Sequence, residues 1–160
     1  MHYLMPDLQV NKVFDITPQH LELLGVSGVI LDIDDTIIKR HEKSADAETV
    51  KWLETIKTAG FEVVIVSNNF KKRVNKISSE LGLVCFSFGL KPFPIGIRKA
   101  VKYMKLPAKK ICVIGDQIFT DVLGAKFVKS KVILVEPLSE ATTFLLKQKR
   151  KIENYIKKHF

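Results

Sequence analysis

The sequence predicts an α/β fold, a single doubly wound parallel sheet of five strands, and three observations lead there. Apolar runs of strand length recur at about 29–34, 61–67, 83–88, 110–115 and 131–135. Amphipathic segments at about 46–59, 70–81, 94–105 and 119–128 fall between them, and such alternation implies right-handed crossovers with helices on both faces. Each of the first four runs ends in a polar cluster, at the strand end where an open α/β sheet binds its ligand.

The elements follow in order. Gly28-Val29-Ile30-Leu31 is apolar throughout, as a strand buried on both faces is, and it leads into Asp32-Ile33-Asp34-Asp35-Thr36. Side chains at i and i+2 of a strand point the same way, so Asp32 and Asp34 begin on one side unless the chain has already turned into a loop. Two carboxylates so placed repel, and a cation or a shared proton offsets that repulsion where such a pair has a function. The helix at 46–59 stops at Gly60, and Phe61–Val66 then ends in Ser67-Asn68-Asn69. The helix at 70–81 stops at Gly82, each glycine serving as a C-cap. Leu83–Phe88 is followed by Lys91-Pro92, the helix at 94–105 closes at Pro107, and Lys110–Ile114 ends in Gly115-Asp116 with Asp121 five residues on. A single Ser, Lys or Asp in such a loop is ordinary turn chemistry; the four clusters in this order and register are specific.

Composition bounds the class. A chain of 160 residues suits one domain, and no linker, repeat or low-complexity tract divides it, so residues 1–160 read as a single domain ending in a basic amphipathic helix at about 139–160. No apolar stretch approaches the roughly 20 residues of a membrane span, and the N-terminus lacks a signal-peptide layout, so a cytoplasmic location is expected. Cys85 and Cys112 fall in predicted strands and read as core thiols rather than a disulfide. A cysteine-phosphatase loop would need Arg six residues after the cysteine, where Lys91 and Ile118 stand, so that mechanism is excluded. His2, His20, His41 and His159 show no ligand spacing.

The ordered set Asp32, Asp34, Thr36, then Ser67, then Lys91, then Gly115, Asp116, Asp121 resembles the haloacid dehalogenase superfamily of aspartyl-phosphate phosphatases. Met5-Pro6-Asp7-Leu8, Val64–Asn69, Lys91-Pro92 and Gly115–Gly124 are similar to the YqeG-type subfamily of class IIIA, whose relatives include phosphatases acting on phosphatidylglycerophosphate. Two departures stand out: Asp35 replaces a more usual Asn, and Phe93-Pro94-Ile95-Gly96 replaces a shorter step after Lys-Pro. The resemblance implies a haloacid dehalogenase-like Rossmannoid fold with Asp32 as nucleophile and Asp34 as general acid and base. It implies Mg²⁺ held by Asp32, Asp116 and the Asp34 carbonyl, with Asp121 in support; oxygen-only ligands suit that hard ion. Ser67, the amides of Asn68 and Asn69, and Lys91 are the expected phosphate-binding groups, and Lys91 also offsets charge on Asp32.

The intervals of 33 residues from Asp34 to Ser67 and 24 from Ser67 to Lys91 hold no inserted cap domain, so an open site is expected. The formal charge of +9 fits an acidic partner, and Lys39, Arg40, Lys43 and Lys71, Lys72, Arg73 are expected to rim the entrance. In the tail, Leu145, Ile152, Tyr155, Ile156 and Phe160 are expected along one side, with Lys147, Lys149, Arg150, Lys151, Lys157 and Lys158 on the rest. Such a helix either docks on the sheet or lies on anionic lipid. The expected activity is phosphomonoester hydrolysis of a phosphorylated small molecule or phospholipid head group, with peripheral contact at the inner membrane face. The alternatives are a phosphatase for a soluble nucleotide, sugar phosphate or phosphoprotein, and a non-catalytic basic factor for nucleic acid or assembly.

Overall fold

A computed structural model describes residues 2–159 of the chain. Six parallel strands form one sheet: β1 (Leu8–Val10), β2 (Gly28–Leu31), β3 (Glu62–Val66), β4 (Val84–Phe86), β5 (Ile111–Gly115) and β6 (Lys131–Val135), in the order β1-β6-β5-β2-β3-β4. The sequence predicted five. The sixth, β1, is a three-residue edge strand, too short for its periodicity to be read, and Asp7 fastens it. The Asp7 carboxylate accepts from the Val132 N–H at 2.9 Å and pairs with Lys126 at 2.9 Å and Lys131 at 3.1 Å.

Alternate residues of the strands feed opposite faces, as the two-residue period requires. Val29, Leu31, Ile65, Cys112, Ile114 and Ile133 pack beneath α2 (Ala47–Thr58) and α3 (Lys71–Glu80). Ile30, Val64, Val113, Val132 and Leu134 pack against α4 (Ile95–Met104) and α5 (Leu123–Phe127). A short helix, α1 (Pro18–Leu23), precedes β2 and is too short to show a period in the sequence. Helix α2 begins at Asp46, whose carboxylate accepts from the Thr49 N–H at 2.7 Å, and Trp52 anchors it by donating to the Ile16 carbonyl at 2.8 Å. Gly60 and Gly82 follow α2 and α3 at φ of 94° and 62°, where a side chain would be strained.

Several boundaries differ from expectation: β2 ends at Leu31 rather than 34, and β4 spans Val84–Phe86 rather than 83–88. Residues Ile118–Val122 make a π-helical turn before α5, in place of a continuous helix from 119. The tail helix α6 spans Phe144–Lys157 and is capped by Thr143, so 139–143 is loop; Phe160 lies outside the described residues. No helix among the described residues is long and apolar enough to cross a membrane. Cys85 and Cys112 are both free, the first half-buried on the edge strand and the second fully buried.

Candidate active site

Strand order reverses about β2, so the carboxyl ends of β2, β3 and β5 open onto one crevice. The chain leaves β2 at Asp32 and turns at Asp35, whose φ is 62°. Asp and Asn are the side chains that best tolerate this left-handed conformation, which is why either can stand there. Asp32, Asp34, Asp35, Ser67, Lys91, Asp116 and Asp121 are all buried at this end of the sheet.

Lys91 is the hinge of the cluster. Its Nζ donates to Asp32 Oδ1 at 2.7 Å and to Asp121 Oδ1 at 2.6 Å. Burial alone would lower the Lys91 pKa, but Asp121 and Asp32 outweigh it and hold the ammonium above its ordinary range. The loop that delivers it places Phe88 and Leu90 at φ of 50° and 54°. Asn68 fixes that loop: its side chain donates to the Lys91 carbonyl at 2.9 Å and accepts from the Lys91 N–H at 2.8 Å. Asn68 is therefore engaged as a brace through its side chain. The Asn69 N–H donates to Ser67 Oγ at 3.2 Å, while Asn69 Nδ2 donates to Asp34 Oδ2 at 2.7 Å.

Asp32, Asp116 and Asp121 each place an oxygen within 4.8 Å of the others. Gly115 makes this possible: a Cβ there would overlap the Asp121 carboxyl group, so only glycine lets Asp121 press against the strand end. Burial pushes Asp32 up to about 7, Lys91 opposes, and Asp121 and Asp34 add to the rise. Asp116 is also raised well above the usual range, by burial first and then by Asp121 and Asp32, against Arg150. Three buried carboxylates offering only oxygen donors, with Asp32 and Asp116 pushed toward the protonated form by burial, fit a hard divalent cation. The Asp34 carboxylate stands outside this triad; its Oδ1 accepts from Arg73 Nη2 at 2.7 Å.

Around Asp35, which the sequence marks as a departure, the structure gathers tail residues that the sequence does not place at the site. Asp35, fully buried, is held by Arg40 at 3.2 Å, by Arg150 at 2.9 Å and by the Ser139 hydroxyl. The second of these comes from α6. Arg150 also reaches Asp116 Oδ2 at 3.3 Å and donates to the Ser139 carbonyl at 2.6 Å. Lys149 donates to Gln117 Oε1 at 2.6 Å, and Glu153 accepts from the Phe119 N–H at 3.0 Å. The tail thus docks across the site, and it does so through its charged face. A cavity of about 530 Å³ results, with Asp32, Asp34, Ser67 and Lys91 on the sheet side and Thr142, Leu145, Leu146 and Lys149 on the tail side. The expected open site is instead walled by α6. Of the two basic clusters expected at the entrance, Arg40 lines the cavity and pairs with Asp35, Arg73 pairs with Asp34, and Lys39 pairs with Glu42 at 3.6 Å.

Residues 15–128 match the family model described as haloacid dehalogenase-like hydrolase. The chain is 35% identical to the probable phosphatase YqeG of Bacillus subtilis (strain 168), over 96% of this chain and 90% of that protein. It is 23% identical to the chloroplastic/mitochondrial phosphatidylglycerophosphate phosphatase 1 of Arabidopsis thaliana, over 94% of this chain and 46% of that protein. Among solved structures, the cobalt-bound deoxy-D-mannose-octulosonate 8-phosphate phosphatase of Haemophilus influenzae shares the fold. It superposes with a TM-score of 0.58 at 17% identity, covering 71% of this chain and 70% of that one.

Proposed function

We propose that this chain, which belongs to the haloacid dehalogenase-like hydrolases and is a phosphatase, is a Mg²⁺-dependent phosphomonoesterase that works through an aspartyl-phosphate and takes phosphatidylglycerophosphate at an anionic membrane surface. One observation carries the chemistry: a buried Asp32 at the end of the central strand, bridged by Lys91 to Asp121 and close to Asp116. Asp32 attacks phosphorus, the bond to the alcohol oxygen breaks, and the phosphoryl group remains on the carboxylate. Asp34 gives a proton to the departing oxygen and then takes one from the water that hydrolyses the intermediate. Ser67, Lys91 and the amides of Asn68 and Asn69 receive the phosphoryl oxygens; a well-placed donor in a comparable site contributes on the order of 2.7–4 kcal/mol.

Asp32, Asp116, Asp121 and the Asp34 carbonyl would hold the ion, and a set of oxygen donors alone favours Mg²⁺. When bound, it would supply positive charge for the phosphoryl oxygens and relieve repulsion among the carboxylates.

The name of the Arabidopsis relative supports the lipid, and so does the outer face of α6. Phe144, Leu145, Ile152 and Tyr155 stand 71%, 79%, 54% and 67% exposed. On a helix of 3.6 residues per turn they form one stripe, with Lys147, Lys151 and Lys158 along its border, a pattern suited to an anionic interface. Leu145 and the exposed Phe70 also line the cavity, so this apolar surface runs to its mouth. In this reading the protein works peripherally, at the cytoplasmic face of the membrane.

The test is phosphate release with Mg²⁺ from phosphatidylglycerophosphate in vesicles, set against a nucleotide, a sugar phosphate and a phosphopeptide. The lipid is expected to turn over fastest, and Asp32→Asn to lower release by several orders of magnitude with the fold intact. Faster release from a soluble monoester would reassign the substrate. Wild-type turnover by a folded Asp32→Asn protein would refute the nucleophile. Salt-sensitive RNA binding without turnover would favour the non-catalytic alternative.

A further inference from the structure

We infer that Lys149 forms a second anion subsite in the active-site cavity, so that the preferred substrate is a phosphomonoester whose alcohol portion carries a further negative group. The inference rests on the phosphomonoesterase reading above and concerns which leaving groups that site favours. Three cations line the cavity: Arg40, Lys91 and Lys149. Two are taken. Arg40 is paired with Asp35 at 3.2 Å, and Lys91 with Asp32 and Asp121 at 2.7 and 2.6 Å. Arg73 and Arg150, the other cations at the carboxylate cluster, also sit on carboxylates, at 2.7 Å from Asp34 and 2.9 Å from Asp35.

Lys149 differs from all of these. Its Nζ meets the neutral Gln117 amide at 2.6 Å and makes no carboxylate pair among the described residues. Glu153, one turn along α6, is occupied by the backbone N–H of Phe119 at 3.0 Å. Gln117 in turn donates to Asp116 Oδ1 at 3.4 Å, so one amide separates the ammonium from the carboxylate triad. Glu153 feels the Lys149 charge without pairing with it, so this half-buried lysine on the cavity wall has no direct anionic partner, and a bound anionic group supplies one.

Position decides which part of the substrate that is. Ser67, Lys91 and Asp32 lie at the strand ends, where the transferred phosphoryl group belongs, whereas Lys149 lies on the wall made by the tail. A cavity of 530 Å³ is larger than one phosphoryl group requires and falls within the range of about 300–1,000 Å³ usual for sites that enclose a whole small ligand. The leaving group therefore meets Lys149, with the apolar Leu145 and Leu146 beside it. A phosphodiester or second phosphate on the alcohol portion answers this description, whether it belongs to a lipid head group or to a free bisphosphate.

The experiment measures kcat/KM with Mg²⁺ on three probes: p-nitrophenyl phosphate, whose leaving group has no second anion at the start; soluble glycerol 1,3-bisphosphate; and phosphatidylglycerophosphate in zwitterionic vesicles. The readout is the ratio of each second-anion probe to p-nitrophenyl phosphate. Lys149→Gln is expected to lower that ratio by about tenfold, the loss of one charge-assisted hydrogen bond, through KM rather than kcat. Lys149→Arg should restore it, and Lys109→Gln, exposed just before β5 at the opposite end of the sheet, controls for net charge. A fall in both ratios assigns the subsite to any second phosphate, and a fall with vesicles alone assigns it to a lipid head group. Unchanged ratios in a Lys149→Gln protein that still releases phosphate overturn the inference and leave the phosphomonoesterase reading standing. Failure of the wild type on all three probes would overturn both.

Discussion

Replacing Arg150 with Met tests whether the tail helix is latched to the site through buried charge. The Arg150 side chain is 13% exposed, and its partners Asp35 and Asp116 are 1% and 0% exposed at the side chain. Truncating one partner of a buried pair costs about 3–5 kcal/mol, because the other charge is left without compensation. Asp35 would keep Arg40 and Ser139, which places the loss near the lower end, about 3 kcal/mol. Asp116 would keep only the Gln117 amide at 3.4 Å. With a urea m-value of about 2 kcal/mol per molar, the unfolding midpoint should fall by about 1.5 M in metal-free buffer. Asp35→Asn supplies the second arm of a double-mutant cycle. If Arg150 and Asp35 form the latch, the double variant should be less destabilised than the sum of the singles by about 1–2 kcal/mol. Additivity within about 0.5 kcal/mol, or a midpoint unmoved by Arg150→Met, would refute the latch.

Asp34→Asn should still accept a phosphoryl group from a substrate with a good leaving group but release it slowly, so mass spectrometry should find phosphate on Asp32; rapid turnover without accumulation would remove Asp34 from the hydrolytic step. Metal-free protein should lose stability as pH rises. Asp32 has its folded pKa pushed up to about 7 from 3.8, and Asp116 moves the same way, so their contribution is full below the unfolded pKa and is lost through the folded one. At about 1.4 kcal/mol per pKa unit, the urea midpoint should be lower at pH 8 than at pH 5.5, recover with Mg²⁺ and depend less on pH in Asp32→Asn; a flat profile would contradict the shift. Asp7 acts oppositely, its carboxyl held low against burial by Lys126 and Lys131, and its contribution disappears only as pH falls below about 4. Changing Lys147, Lys151 and Lys158 to Gln should weaken co-sedimentation with anionic vesicles by about 1 kcal/mol per residue, and equal binding to neutral vesicles would remove the membrane from the function.

The strand frame was legible because burial on both faces leaves a distinct mark. Runs such as Val29–Leu31 and Val63–Val66 must be apolar at every position, since each face of the sheet carries its own helices. The residues at their ends are polar because the chain there leaves the sheet for the crevice that α6 walls. Hence Asp32, Ser67, Lys91 and Asp116 could be assembled into one crevice from order alone. Edge strand β1 escaped because three residues give no period, although the Asp7 that fastens it was visible in a matched stretch.

The face by which the tail docks is not legible in the sequence, for a physical reason. Seeking the apolar side of an amphipathic helix presumes that it packs against a core, and Leu145, Ile152 and Tyr155 duly formed that side. Helix α6 packs instead on a carboxylate cluster, where burial would force protons onto the acids unless cations came to them. Its inner face therefore carries Lys149, Arg150, Glu153 and Lys157, each with a partner on the body of the protein, Ile156 packs against the core, and the stripe of Phe144, Leu145, Ile152 and Tyr155 is left outside. No hydropathy pattern separates Arg150 from the exposed Lys151 beside it. Asp35 held the clue. A carboxylate in place of the usual amide, at a buried turn already crowded with acids, requires extra guanidinium from elsewhere in the chain. Arg40 supplies one and Arg150 the other, so the departure at position 35 and the placement of the tail are two ends of the same electrostatic requirement.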